Sequence, residues 1–313
     1  MSKEAQVTDT VFMVRPVSFY SNPETIASNA FQSSAGSVDP GIQDRAIHEF
    51  DKMVELLRSS GVRVIVAQDI PEPATPDSIF PNNWISFHGS GTAFIYPMCA
   101  PNRRNERTKE LEDAMKLSGY EWNSVDLTSW ENSGRFLEGT GSMVLDRQNK
   151  IAYACRSPRT DESVLQAFCE NAGYKPVLFD AWHVADGREH RIYHTNVMLC
   201  IGTRIAVLCA ESISNAEEQT RVIRNLEESG RVVITISSEQ MNNYAGNMLE
   251  LRSESGEPLM VMSARALGSL GENQVMTIRK YCRILAPDIA TIETHGGGSA
   301  RCMLAEVFLP PPK

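Results

Sequence analysis

Apolar and polar positions along the chain follow a rhythm that returns several times. The runs WISFH (84–88) and TAFIYP (92–97) read as two short strands turning around Gly89 and Gly91. A stretch with helical apolar spacing follows, ends near Ser118 and Gly119, and gives way to a strand at about 121–127. The same order returns in SMVLD and IAYAC, a helix from Asp161 to Ala172 stopped by Gly173, and KPVLF. It returns in NVMLCIG and RIAVLCA, a helix over about 215–229 stopped by Gly230, and RVVITIS. It returns again in NMLEL and PLMVMS, a helix over 271–284, and a strand IATIET at 289–294. The N-terminal part supplies a strand VFMVRP, a helix at about 43–59 stopped by Gly61, and a strand VRVIVA. Its missing strand is CMLAEVF (302–308) at the far end of the chain, which closes a ring.

Each unit is therefore β-β-α-β, and five units account for nearly the whole chain. The predicted fold is α/β, a five-bladed propeller of ββαβ units about a pseudo-five-fold axis, in one catalytic domain over 1–313. An open α/β sheet is the ordinary alternative. The closed form is favoured because polar residues recur where each unit's first strand begins. The segment 18–41, rich in Ser, Asn and Ala, reads as a lid or a surface excursion.

Composition narrows the function. The 313 residues are 42% hydrophobic and 22% charged, with a net charge of −9. An acidic chain repels phosphate backbones, so no nucleic-acid partner is expected. The polar start lacks the apolar core of a signal peptide, and no apolar run reaches the roughly 18 residues of a membrane span. A cytoplasmic protein without membrane contact is expected, and a homo-oligomer is left open. Seven cysteines without C-x-x-C spacing argue against a disulfide framework and a thiolate zinc site. His183, His190 and His194 have no recognised ligand spacing, and no metal or organic cofactor is expected.

The residues before the unit-opening strands carry the candidate chemistry. They are Asn82-Asn83, Leu137-Glu138-Gly139, His194-Thr195-Asn196, Gly246-Asn247 and Gly296-Gly297-Gly298-Ser299-Ala300-Arg301-Cys302. If the units surround an axis, a thiol, an imidazole, a carboxylate and several amides meet at one end. Cys302 then serves as nucleophile, His194 as proton shuttle and Glu138 as the carboxylate that orients it. Taken singly, each is ordinary: a cysteine heading an apolar strand is usually core, and a histidine there is usually structural.

With these motifs in view, the chain resembles the guanidino-group-modifying enzymes, the pentein superfamily of arginine deiminases, dimethylargininases and amidinotransferases. Within it, the chain looks most like the arginine deiminase-related branch that includes citrulline-utilization hydrolases. The resemblance spans essentially the whole chain. It rests on VRP (14–16), FPNNW (80–84), PNRRNE (101–106), LEG (137–139), RT (159–160), HTN (194–196), GN (246–247) and GGGSARCM (296–303). It implies Cys302, His194 and Glu138 as the catalytic set. It implies Arg104 and Arg159 as arginines for a substrate carboxylate, which a guanidinium fork fits bidentately. The ordinary reading of such arginines is solvated surface charge, and the neighbouring Arg103 is read that way.

The chain departs from the deiminase pattern at Asn83 and Asn196, where deiminases place aspartates that clamp the cationic guanidinium. Two neutral amides suit a neutral ureido group, which offers one acceptor and several donors. Asn83, Asn196 and Asn247 are accordingly assigned to substrate binding. The expected reaction is hydrolysis of a C–N bond in a small amino-acid substrate, foremost citrulline to ornithine, carbon dioxide and ammonia, through a covalent cysteine intermediate. The alternatives are an arginine deiminase or dihydrolase, an amidinotransferase, and a non-catalytic binding protein of the same fold.

Overall fold

A computed structural model describes residues 4–26, 29, 31–32, 41–185 and 187–312. Five three-stranded sheets carry one wiring: an inner strand runs antiparallel to a middle strand, which runs parallel to an outer one. A helix makes the parallel crossover, as such connections require. The first blade joins the two ends of the chain: Ala305–Glu306 pairs with Thr10–Arg15, and Arg63–Gln68 lies beyond it. The others are Ile85–His88, Thr92–Ile95 and Asn123–Asp126; Met143–Asp146, Ile151–Cys155 and Lys175–Phe179; Leu199–Ile201, Ile205–Leu208 and Val232–Thr235; and Leu249–Arg252, Pro258–Val261 and Arg283–Leu285. Inner strands of neighbouring blades meet round the axis: Ala305–Glu306 beside Ile85–His88, and Leu199–Ile201 between Met143–Asp146 and Leu249–Arg252. This is the five-bladed propeller that the repeats predict.

The helices form where apolar residues recur at three- and four-residue spacing. In Ile42–Ser59 the buried face is Ile42, Ala46, Phe50, Met53, Val54 and Leu57, packed on Val11, Met13 and Val64 of its sheet. Asp161 caps Glu162–Ala172 by accepting from the amides of Ser163 and Val164, and Asn215 caps Ala216–Glu228 in the same way. The far end of the axis holds fully buried charge, Asp146 with Arg231 at 2.7 Å.

Three details differ from the sequence reading. The run 289–294 is not a strand but the start of a helix, Ala290–Gly296, and the blade's outer strand is Arg283–Leu285. The Glu49 carboxylate accepts from the amides of Thr291 and Ile292 and so caps that helix from another blade, a tertiary contact that local pattern does not reveal. The closing strand is short, and Cys302 precedes it in a turn whose amide bonds to the Ser299 carbonyl. A hairpin of Trp182–Ala185 and Arg188–Arg191 is inserted ahead of the fourth blade. Of the 18–41 segment, residues 27, 28, 30 and 33–40 lie outside the described residues. No helix among the described residues is long and apolar enough to cross a membrane.

Candidate active site

Short turns at the entry of each inner strand deliver the polar residues to one end of the axis. Asn83 ends the 3-10 turn Pro81–Asn83, Asn196 lies in the turn Thr195–Val197, and Glu138 immediately precedes the short helix Gly139–Ser142. A cavity there is walled by Asp77, Phe80, Asn83, Arg103, Arg159, Tyr193, His194 and Cys302, with the backbone of 296–298 as its floor. Thr25 and Asn29 of the N-terminal segment also line it. Asn29 donates to the Gly297 carbonyl at 3.2 Å, and the Thr25 carbonyl accepts from Arg159 at 3.3 Å.

Three of the proposed reacting groups are thus brought together. His194 Nε2 bonds Glu138 Oε2 at 2.8 Å, and both side chains are buried. Cys302 shares the cavity wall with His194. Two amides are aimed at its sulfur, Asn247 Nδ2 at 3.3 Å and Asn196 Nδ2 at 3.6 Å. Asn247 and Asn196 therefore stand behind the sulfur and are not on the wall, whereas Asn83 is on it. Asn247 also ties the turn together, donating to the Asn196 carbonyl and accepting from the Arg301 amide.

The electrostatics assign the protons. Burial alone would raise the Glu138 carboxyl. Arg159 at 3.4 Å, the His194 hydrogen bond and Arg103 at 3.9 Å outweigh it and hold the group ionised, below the usual carboxylate range. Burial pushes His194 down to about 4, against the pull of Glu138. At neutral pH the imidazole is therefore uncharged, with its Nε2 proton on Glu138 and its Nδ1 lone pair open. That is the state of a base.

A pH prediction follows from these signs. If His194 is the base, activity is expected to fall at low pH as the imidazole takes a proton. Below His194's ordinary value of 6.5 the unfolded chain binds that proton and the folded one does not. Stability therefore declines between about 6.5 and 4, by on the order of 3 kcal/mol. Denaturant titrations of wild type and His194→Asn at stepped pH measure this, and the variant lacks that slope. Protonation of Glu138 adds its own loss only below its ordinary value of 4.5.

Two glycines make room for the cluster. A Cβ at Gly139, where φ is +47°, would lie 2.4 Å from the Asn82 carbonyl oxygen. A Cβ at Gly141 would lie 2.5 Å from Asn83 Nδ2 and 2.8 Å from His194 Nδ1. Gly141→Ala is expected to lower kcat/KM by at least about a hundredfold while the chain still folds, as read by steady-state kinetics beside circular dichroism.

The arginines correct the sequence reading. Arg103 is not surface charge: its side chain is 2% exposed and forks onto Glu106 at 2.7 and 3.0 Å. Arg104, the expected partner of Arg159, is 31% exposed, bonds the Met98 carbonyl and Glu131, and lies outside the cavity wall. The signal was present in the i, i+3 spacing of Arg103 and Glu106, which on one turn forms an ion pair. Arg159, assigned from sequence to a substrate carboxylate, is on the cavity wall, over the Tyr193 ring and against Glu138. The sequence reading missed Asp77, which is buried with Oδ2 accepting from Asn22 at 2.7 Å and Oδ1 lacking a partner among the described residues. It also missed Thr25, Asn29 and Tyr193. Among these, only the proximity of Tyr193 to His194 offered a cue.

With this geometry established, comparison places the chain among known proteins. The model of the family described as N,N dimethylarginine dimethylhydrolase, eukaryotic, matches residues 15–309. No curated protein matches the chain. Among solved structures it is similar to the N-terminal domain of ArgZ, an arginine dihydrolase from the ornithine-ammonia cycle in cyanobacteria, solved as a cysteine-to-serine mutant with substrate. The TM-score is 0.70 and the identity 14%, over 95% of this chain and 97% of that one. It is similar to AgrE, solved as a cysteine-to-alanine mutant with L-arginine, at TM-score 0.71 and 16% identity over 95% of this chain and 40% of that one. A dimethylarginine dimethylaminohydrolase, solved as an adduct with S-methyl-L-thiocitrulline, matches at TM-score 0.62 and 16% identity over 96% of this chain and 99% of that one.

Proposed function

Because the chain belongs to the eukaryotic N,N-dimethylarginine dimethylhydrolase family, we propose that it is a cysteine hydrolase of a ureido or guanidino amino acid, with citrulline as the foremost substrate. The observation that carries this reading is Asn83 on the cavity wall, an uncharged amide beside the nucleophile and the His194–Glu138 pair. A cationic guanidinium there lacks a carboxylate partner at position 83, whereas a ureido oxygen meets an amide donor.

The charged part of the cavity wall suits an amino-acid backbone. Arg159 and Arg103 offer guanidinium groups to a carboxylate, and the unpartnered Asp77 oxygen offers an acceptor to an ammonium. Burial pushes the Asp77 carboxyl up against the pull of Arg103, so an incoming ammonium would restore its missing partner.

The reaction proceeds in two halves. His194 Nδ1 takes the Cys302 proton, the sulfur adds to the ureido carbon, and the carbonyl pair moves onto oxygen, where the Asn83 amide meets it. The oxygen pair returns, a C–N bond breaks, and the leaving nitrogen takes the proton from His194. Water then gives a proton to His194 and adds to the thiocarbamate. The C–S bond breaks, the sulfur recovers its proton, and the carbamate released decomposes to amine and carbon dioxide.

A second reading, arginine hydrolysis in two rounds through citrulline, is favoured by one observation: the ionised Glu138 carboxylate lies directly behind His194. Incubation of the enzyme with citrulline and with arginine, followed by amino-acid and ammonia analysis, separates the readings. The first gives ornithine from citrulline and little from arginine. Ornithine from arginine at an equal rate favours the second, and no product from either refutes both.

A further inference from the structure

Arg103 can only donate hydrogen bonds, so the atom of Asn83 that faces it must be the oxygen. Arg103 Nη1 lies 2.8 Å from Asn83 Oδ1. The amide is thereby turned: its nitrogen sits over Gly141, 3.0 Å from the Asn82 oxygen, at the place where a Gly141 Cβ would touch both Asn83 Nδ2 and His194 Nδ1. The group that Asn83 presents toward the reacting end is therefore an N–H donor. Arg103 is itself fixed by the two-pronged bond to Glu106, with Asp77 3.8 Å away, so neither partner turns freely.

We propose that the buried Glu106–Arg103 pair is a specificity-determining element that acts through Asn83, locking its amide with the N–H side toward the substrate's terminal group. The consequence is a matter of donors and acceptors. A ureido group has an oxygen to accept from that N–H. A guanidinium has only N–H groups there, so donor faces donor and two polar groups stay unpaired in a buried site. The fixed positive charge of Arg103 beside Asn83 adds to the discrimination. Arg103 is in this respect a positioning residue, and Glu106 positions it in turn.

This inference rests on the ureido reading given above, and its test separates the two. Affinities for citrulline and arginine are measured by calorimetry in the Cys302→Ala background, where neither is consumed. Both ligands carry the same α-amino and α-carboxylate groups, so the ratio of their affinities cancels any effect of Arg103 on that end. The wild-type ratio tests the substrate reading: tighter binding of arginine counts against it. The change in the ratio tests the inference. The paired replacement Arg103→Met with Glu106→Met removes both members of the fork and frees Asn83 to turn; Asp77 and Glu138 lose a cation 3.8 and 3.9 Å away, an effect that Asn83→Ala does not share. It is expected to shift the ratio toward arginine by about tenfold or more. Asn83→Ala, which keeps the ion pair intact, is expected to shift it likewise, and adding the paired replacement to Asn83→Ala is expected to move it little further. A ratio unchanged by Asn83→Ala, or by the paired replacement in a folded protein, overturns the inference. So does a paired replacement that moves the ratio as far without Asn83 as with it.

Discussion

Cys302→Ala is expected to abolish turnover of citrulline and arginine alike, by at least about 10⁴-fold in kcat, and to leave the protein folded. The argument is geometric. Among the seven cysteines, Cys302 is the one on the cavity wall, and two amide N–H groups converge on its sulfur, from Asn247 and Asn196. Cys155, Cys169, Cys200 and Cys282 are raised by burial, to about 11 for Cys155 and higher for the others, which leaves them inert thiols. The half-buried Cys99 is also raised, first by burial and then by nearby Glu138. Alanine at 302 removes one sulfur from a turn held by the Cys302 amide on the Ser299 carbonyl and by the Arg301 amide on Asn247, and neither contact uses the thiol. Kinetics beside a denaturation curve check both halves. Retained activity contradicts the nucleophile, and an unfolded variant contradicts the turn geometry.

The second large effect is expected at Glu138. Its carboxylate receives the His194 ring, the Cys99 amide and the Arg159 guanidinium, and lies within 3.9 Å of Arg103, all in a fully buried place. Glu138→Gln keeps the shape and removes the charge. Both carboxylate oxygens accept, so the single amide oxygen leaves either the His194 ring or the Cys99 amide facing an NH2 group, and Arg159 loses its ion-pair partner. Loss of one member of a buried charge cluster costs about 3–5 kcal/mol, and loss of an oriented base costs about 10²–10⁴-fold in rate. Chemical denaturation and kcat/KM should therefore both fall. A variant that loses activity at full stability would show that Glu138 serves the chemistry without supporting the fold.

The repeat that sets the architecture is legible because it is local. Each hairpin and each glycine-stopped helix declares itself by period, and only the closing of the ring through 302–308 needs a long-range step. The site is legible as far as it sits at equivalent points of that repeat, which is true of Asn83, Glu138, His194, Asn247 and Cys302. The rest is hidden for physical reasons. Asp77 lies in a turn and Thr25 in the four-residue helix Pro23–Ile26, and both are positioned by tertiary bonds, such as the one from Asn22 to Asp77. Arg103 and Arg104 are neighbours with the same chemistry, and the turn Pro101–Glu106 alone decides which faces inward. The helix Ala290–Gly296 has the composition of a strand, and the Glu49 cap overrides it.

The central claim is that the Cys302 sulfur bonds to the ureido carbon. The most direct measurement quenches the enzyme in acid during turnover of citrulline labelled at that carbon, and locates the label by peptide mass spectrometry. The account predicts a labelled thiocarbamate on the peptide that contains Cys302, lost on a chase with unlabelled substrate. Turnover with no label on that peptide, or label confined to Cys99, would contradict it.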